Sequence, residues 1–512
     1  MNRLAVISRR YSNVFSQVRS VKGANTRLLL EQNRNEQMKD RLRKFGFVRS
    51  VSSSQLSASK RKTSNESASA GGDTTVSSGS TVLDGSAMHS ATVASSSGVS
   101  GKRPSDSWRE LQLPFSTDVA MRQFYMNPYG DIRVGMLLED LDSMAGLIAY
   151  EHSDGFERDL TVVTASLDRL EFQRPLSQFQ DVILRGCVTY VGHSSMEVRI
   201  DILQVMDDQP GTAASATVSA TEAVDVFLEN GEKASANAPR TYDPSKLVFC
   251  STSLFTMVAR DGNKAAPVPP LVCHSRQERD RFEQGIVNKI RRKESAKKSL
   301  DVTPPTLEEN DFVHWLFLAQ KKMTLESQLL KSRSEKAATL GVPLSAGSRW
   351  MSMKDTTLDS HVLMQPQNRN VHGKVFGGFL LRLAYELGFM SAQCFLGSRP
   401  LFLSLDDNTF LRAVEVGSIV QFSARVVLRE KEHVVVRVVA QPINPMDRTK
   451  FIANVFHFTF RDQQWTGDSN CRVLYPETLE EANQCIEGKR VLDQGQHLKE
   501  SLREPLEIPS PV

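Results

Sequence analysis

Apolar residues along the chain fall into two spacings, and the same order of spacings occurs twice. Leu137, Leu141, Met144 and Ile148 stand at i, i+4, i+7 and i+11, the stripe of an amphipathic helix, and Leu380, Ala384 and Leu387 repeat that face. Short segments rich in Val, Ile and Phe follow each helix, broken by Gly, Pro or charge, and read as strands. Behind the first helix they are 161–170, 180–191, 196–205 and 247–260; behind the second they are 401–410, 419–428, 433–439 and 451–460. One helix followed by a run of strands predicts an α+β fold, the helix packed on one face of an antiparallel sheet.

The two halves are copies of one unit. Ser166-Leu167-Asp168 with Phe172 and Arg174 returns as Ser404-Leu405-Asp406 with Phe410 and Arg412, an offset of 238 that also relates Arg199 to Arg437. Asn127-Pro128-Tyr129-Gly130 followed by Gly135 returns as Asn370-Val371-His372-Gly373 followed by Gly378, at an offset of 243. The difference predicts five extra residues in the first copy, near 153–159. The copies span 108–272 and 350–465, and an Ala/Ser/Thr-rich loop at 211–240 precedes the last strand of the first. Between them, 273–349 reads as a helical linker, its charged 277–298 helix and amphipathic 312–333 helix parted by Pro304-Pro305 and taken as a solvated connecting arm. Residues 466–512 read as a C-terminal extension.

Composition narrows the setting. A net charge of +4 over 512 residues gives no argument for a nucleic-acid surface. No run of 18 uncharged apolar residues exists, so no membrane-spanning helix is expected. The six cysteines are scattered without a close pair, which fits neither a disulfide framework nor a metal cluster. Residues 1–30 carry Arg3, Arg9, Arg10, Arg19, Lys22 and Arg27 but no acid before Glu31, the composition of a mitochondrial presequence or of a basic disordered tail. We take 1–50 as a matrix-directing leader. Seventeen serines among residues 51–100 mark 51–107 as a disordered spacer, too polar to offset its ordering entropy.

Asn370-x-x-Gly373-x-x-Phe376-Gly377-Gly378 opens the second helix. Adjacent glycines there admit close approach of another chain or a ligand, and the free N–H groups of a first turn favour negative charge. On the residues alone, a tight structural turn and a ligand-facing helix start both remain open. Asp168 and Asp406, at matching strand positions, read as structural. No Gly-x-Ser-x-Gly elbow is present, which argues against a serine nucleophile on the α/β-hydrolase scaffold.

With its context the motif resembles that of the hotdog-fold acyl-CoA thioesterases of the mitochondrial tandem type. Met364-Gln365-Pro366-Gln367, Ala384-Tyr385-Glu386-Leu387, Gly397-Ser398-Arg399-Pro400, Asp406-x-x-x-Phe410 and Leu138-Glu139-Asp140-Leu141-Asp142-Ser143 carry the likeness across both copies. The resemblance implies a double hotdog that hydrolyses acyl-CoA to a free carboxylic acid and CoA, without organic cofactor or metal, in a homo-oligomer of tandem subunits. It implies a catalytic pair made of an Asn at one helix start and an acid on the other helix, seven residues after its first glycine: Asn370 and Asp142. The N–H groups at Gly377 and Gly378 would polarise the thioester carbonyl. The reciprocal site is degraded, with Asn127 retained, Arg133 and Val134 in place of Phe-Gly, Tyr385 at the acid position and Glu386 beside it as a possible second carboxylate. His372, Arg399, Arg412 and Arg437 are candidates for the CoA nucleotide. The rival readings are an acyl-CoA or lipid binding protein with reduced catalysis and a hotdog enoyl-CoA hydratase, the latter lacking its expected His near Asp142.

Overall fold

The computed structural model describes residues 100–206, 242–297, 299–300, 302–318, 320–321, 325, 350–370, 372–467, 472–498 and 505–506. The leader, the Ser-rich spacer up to 99 and the 211–240 loop lie outside these residues. The first copy runs β1 (Arg109–Leu113), α1 (Val119–Phe124), α2 (Val134–His152), β2 (Thr161–Phe172), β3 (Val182–Val191), β4 (Ser195–Val205), β5 (Leu247–Asp261), a short β6 (Lys264–Ala265) and α3 (Arg276–Lys297). The second runs β7 (Trp350–Ser352), β8 (Leu358–Leu363), α4 (Gly377–Leu396), β9 (Pro400–Phe410), β10 (Ile419–Glu430), β11 (His433–Ile443), β12 (Asn454–Asp462), β13 (Val473–Tyr475) and α5 (Leu479–Leu498).

Ten strands form one continuous path in the order β1-β3-β4-β5-β2-β9-β12-β11-β10-β8, with β6 on β5, while β7 and β13 pair in a small sheet of their own. That order is the same five-strand pattern met from opposite ends, so the copies are related by a pseudo-twofold axis between β2 and β9. These two pair antiparallel, with Ser166 opposite Thr409 and Leu170 opposite Leu405. Eight residues (153–160) join α2 to β2 and three (397–399) join α4 to β9, which places the five extra residues where the two offsets predict them. Fine detail repeats too. A β-bulge between Val188 and Tyr190 matches one between Val426 and Leu428. The backbone N–H freed at each bulge is taken up by a hydroxyl: Val188 donates to Ser107 and Val426 to Thr356, both at 3.1 Å.

The predicted apolar stripes face the sheet. Leu137, Leu141, Met144 and Ile148 on α2, and Leu380, Ala384 and Leu387 on α4, are all buried. The two helices lie side by side and antiparallel, so that Gly135 at the start of α2 meets Tyr385 and Arg382, while Gly378 at the start of α4 meets Glu139 and Asp142. Glu139 and Arg382 close an ion pair at 2.7 Å across this seam.

The sheet is covered on both faces, and here the expectation of a solvated arm fails. α3 lies on the outer face of the first copy: Arg292 pairs with Asp168 and, at 3.3 Å, with Glu197, while Asn288 donates to Glu197 at 3.2 Å. Asp168 thus has the structural role expected of it, as does Asp406, held by Arg169 at 2.5 Å. Most of its charges stay in solvent, but those on the inner side, led by Arg292, answer buried acids on the strands. α5 covers the second copy in the same way, with Ala482, Cys485 and Ile486 buried and Gly488 against Val427 and Leu428. Each copy therefore continues into an outer helix, beyond the limits of 272 and 465 expected from sequence. Gly285 marks a tight approach of α3 to the sheet, because a Cβ there would overlap Cβ of Tyr190 and stand 2.7 Å from its Cγ. Gly285→Ala is expected to destabilise the protein by about 1–3 kcal/mol, the scale of overpacking, measured as a lower denaturation midpoint.

Candidate active site

The Asn-x-x-Gly turn has a local physical cause in both copies. The Asn370 side-chain oxygen accepts from the backbone N–H of His372 at 2.9 Å and of Lys374 at 3.1 Å. Asn127 accepts from Tyr129 at 2.9 Å and Asp131 at 3.0 Å. The glycine of each turn has positive φ, +77° at Gly373 and +81° at Gly130, a region open to glycine without strain. Each Asn therefore spends its oxygen on its own loop, and only its NH₂ group is left as a donor outward.

This loop delivers the first turn of α4 to the middle of α2. Asp142, 1% exposed, receives the backbone N–H of Gly378 on Oδ2 at 2.6 Å and the hydroxyl of Thr164 on Oδ1 at 2.7 Å. Gly377 borders the same carboxylate, and the ring edge of Phe410 packs against Gly377. Burial pushes the Asp142 carboxyl up from 3.8 to about 6, against the opposing pull of the Thr164 and Gly378 hydrogen bonds and with a further push from the charge of Glu139. Sequence reasoning placed Asp142 and Gly378 together, but it gave Gly378 to the thioester carbonyl; its N–H is taken by the carboxylate. Among the described residues no hydrogen bond joins Asn370 to Asp142. Thr164 was missed.

The reciprocal position is a different environment. At the offset of 238 Phe402 replaces Thr164, and Tyr385 replaces Asp142. Their rings meet edge to face at 5.2 Å, and Tyr385 also packs on Phe458 at 5.7 Å. A buried aromatic pair thus fills the place of the acid and the hydroxyl. Glu386 lies near Gly135 but is bound by Arg133 at 2.5 Å, the residue that replaced the motif's Phe.

The Thioesterase superfamily matches residues 130–209, from the Asn127 turn through β4. The mitochondrial acyl-coenzyme A thioesterase 9 of Bos taurus is 32% identical over 409 residues, covering 79% of this chain and 81% of that one. The chain belongs to the acyl-CoA thioesterase family. The Homo sapiens thioesterase 9 is 31% identical over 79% of this chain and 81% of its own. Among solved structures, an acyl-CoA hydrolase from Staphylococcus aureus is 21% identical and matches 29% of this chain and 92% of its own, with a TM-score of 0.28. The protein is an acyl-CoA thioester hydrolase with the double-hotdog fold, and it is mitochondrial.

The thioesterase disposes of its candidate nucleotide ligands unequally. His372 bonds the Tyr150 hydroxyl and, at 3.3 Å, that of Thr161, so it ties the α4 loop to the first copy. Arg399 pairs with Asp131 and lies 5.4 Å over the Tyr129 ring, beside the degraded Asn127 turn. Arg437 is on the outer face under α5, paired with Glu487 at 3.4 Å, and the sheet separates it from Asp142. These three have structural partners that sequence spacing does not show. Arg412 is exposed, 5.4 Å over the Phe451 ring, two residues beyond Phe410. Among the described residues no group of three or more His, Cys, Asp or Glu side chains is arranged to hold a metal ion, and no helix is long and apolar enough to cross a membrane.

Proposed function

We propose that the thioesterase carries one working active site per subunit, built from Asp142, Thr164, Asn370 and the first turn of α4. The buried carboxyl of Asp142, held between a hydroxyl and a helix N-terminus, is the observation that carries this reading. Ionised, it takes a proton from a water molecule, whose oxygen attacks the thioester carbonyl carbon. The Asn370 NH₂ group orients that water, and the N–H of Gly377, next to the one already bound by Asp142, polarises the carbonyl oxygen. Collapse of the tetrahedral species expels the CoA thiolate, which recovers the proton from Asp142. A thioester is activated and thiolate leaves readily, so a base and an oxyanion donor are chemically sufficient. Arg412 is the residue we assign to the CoA phosphates.

The test is thiol release from acyl-CoA, with a 2-enoyl substrate followed in parallel. Asn370→Ala should slow release of CoA severely while Glu386→Gln retains most of it; loss in Glu386→Gln with full activity in Asn370→Ala would place the working site in the other half. Consumption of the double bond without thiol release would favour the hydratase reading. We further propose that the protein resides in the matrix and associates as tandem subunits into a homo-oligomer. A reporter fused behind residues 1–50 should be protease-resistant in mitochondria stripped of their outer membrane, and the mass in solution should exceed that of one 57.1 kDa chain.

A further inference from the structure

A cavity lies outside the candidate active site, on the outer face of the first copy. Its volume is about 360 Å³, at the small end of ligand-binding cavities, and among the described residues its walls are Leu203, Pro244, Leu247, Phe249, Pro505 and Leu506, with Arg185 as the one charged residue. Arg185 stands on β3, opposite Glu110 of β1 and Asp201 of β4. It is 7% exposed, and its Nε is buried without a hydrogen-bond partner among the described residues. Its neighbour Asp201 is already committed: it accepts from Arg199 at 2.9 Å, from Thr252 at 2.6 Å and from the backbone N–H of Leu506 at 2.5 Å. A buried guanidinium short of an acceptor is costly unless something supplies one.

The far wall is the end of the chain. Leu506 is 1% exposed, anchored through its N–H to Asp201, and the carbonyl of Pro505 accepts from Arg281 at 3.3 Å. The C-terminal segment thus crosses onto the first copy and forms one wall of a partly open cavity that is apolar except for a guanidinium whose Nε lacks an acceptor among the described residues.

We propose that this cavity binds an aliphatic carboxylate, with the carboxylate on the Arg185 guanidinium and the hydrocarbon against Leu203, Leu247, Phe249 and Leu506. Arginine pairs two N–H groups with the two oxygens of a carboxylate, and the remaining walls offer hydrocarbon contact alone. A phosphate ester would need further donors that the lining does not contain. The ligand belongs to the class that acyl-CoA hydrolysis releases, but the site shares no residue with Asp142 and stands or falls separately from the mechanism.

Octanoate titrated calorimetrically into the full chain tests it. Octanoate is expected to bind at least tenfold more weakly to Arg185→Met, and at least tenfold more tightly than octanol to the wild type. Leu247→Trp, which fills the cavity and leaves the charge, should give the same loss, whereas Asp142→Asn should leave this binding event unchanged. Equal affinity in Arg185→Met, or equal binding of octanol, would overturn the proposal. Glu504 and Glu507 flank the docked dipeptide in sequence, so the titration is repeated in Glu504→Gln/Glu507→Gln. Unchanged affinity assigns the guanidinium to the free ligand, and a tenfold gain would show that a carboxylate of the chain itself fills the site, which also overturns it.

Discussion

Asp142→Asn is expected to lower kcat by about 10²-fold or more with little change in KM, because a general base acts in the transition state and does not hold the nucleotide. The variant should remain folded. An Asn side chain still accepts the Gly378 N–H through its oxygen, and its NH₂ group can donate to the Thr164 hydroxyl, so both contacts are kept, the second with its direction reversed. Thr164→Val, which leaves one carboxylate oxygen short of its donor, should lose activity in the same direction. In the wild type, kcat/KM should fall about tenfold per pH unit below about 6, where burial has placed the carboxyl.

Stability runs the other way. The folded carboxyl is raised from 3.8 to about 6, so the fold favours the neutral form, and its contribution is lost as pH climbs from about 4 through 6. That rise corresponds to about 3 kcal/mol withheld from stability at neutral pH. Denaturation of Asp142→Asn at pH 7.5 should show a midpoint no lower than wild type, and the gap should close at pH 4. The neighbouring Asp140, raised to about 7 by burial and bonded to Tyr125, titrates in the same window but is common to both proteins. Such a loss of stability at the working pH is the trade-off expected if this carboxylate is the proposed base.

The architecture was legible in the sequence because it is carried by periodicity. The stripes on α2 and α4 place those helices, and an offset that falls from 243 to 238 along the chain locates the longer turn at 153–160. The outer helices were misjudged because mean polarity hides specific pairing. Residues 276–297 are charged on nearly every side, yet Arg292 and Asn288 answer acids at Asp168 and Glu197 more than ninety residues away. No spacing rule reaches that far.

The site divides along the same line. Asp142, Asn370, Gly377 and Gly378 follow from a motif and a helical count, but the bond each makes does not. Gly378 supports the carboxylate, and Asn370 satisfies its own turn. Thr164 had a signal that lay in the differences between the copies. Asp142 and Thr164 become Tyr385 and Phe402 together, and a pair of positions that changes character together across a repeat belongs to one contact. The same comparison describes the reciprocal position: an acid with its hydroxyl donor is replaced there by two rings packed edge to face, while Arg133 pairs with the neighbouring carboxylate of Glu386.

Gly378→Val and Gly135→Ala, at equivalent helix starts, should differ sharply in effect. A Cβ at Gly378 meets Cα of Glu139 at 3.1 Å and Cβ of Asp142 at 3.0 Å, backbone and near-backbone atoms that cannot rotate away. A Cβ at Gly135 meets Cγ of Arg382 at 3.0 Å and, at 3.4 Å, the ring of Tyr385 and the tip of Glu386, of which the first and last are flexible side chains. Gly378→Val must push α4 away from α2 at the point where the Gly378 N–H holds Asp142, so the base loses both its support and its register with the oxyanion donors. A displacement of about 1 Å at reacting groups is enough to cost about 10²-fold in rate. The expected result is loss of activity by that factor or more, with about 1–3 kcal/mol of stability from overpacking. Gly135→Ala should keep activity within a few-fold of wild type. The measurement is kcat for thiol release beside a denaturant midpoint for each variant. If Gly378→Val retained normal kcat, the helix start would be a packing site alone and the Asp142–Gly378 contact would have no catalytic meaning; if Gly135→Ala were the more damaging of the two, the working half of the molecule would be the one that Arg133 and Tyr385 occupy.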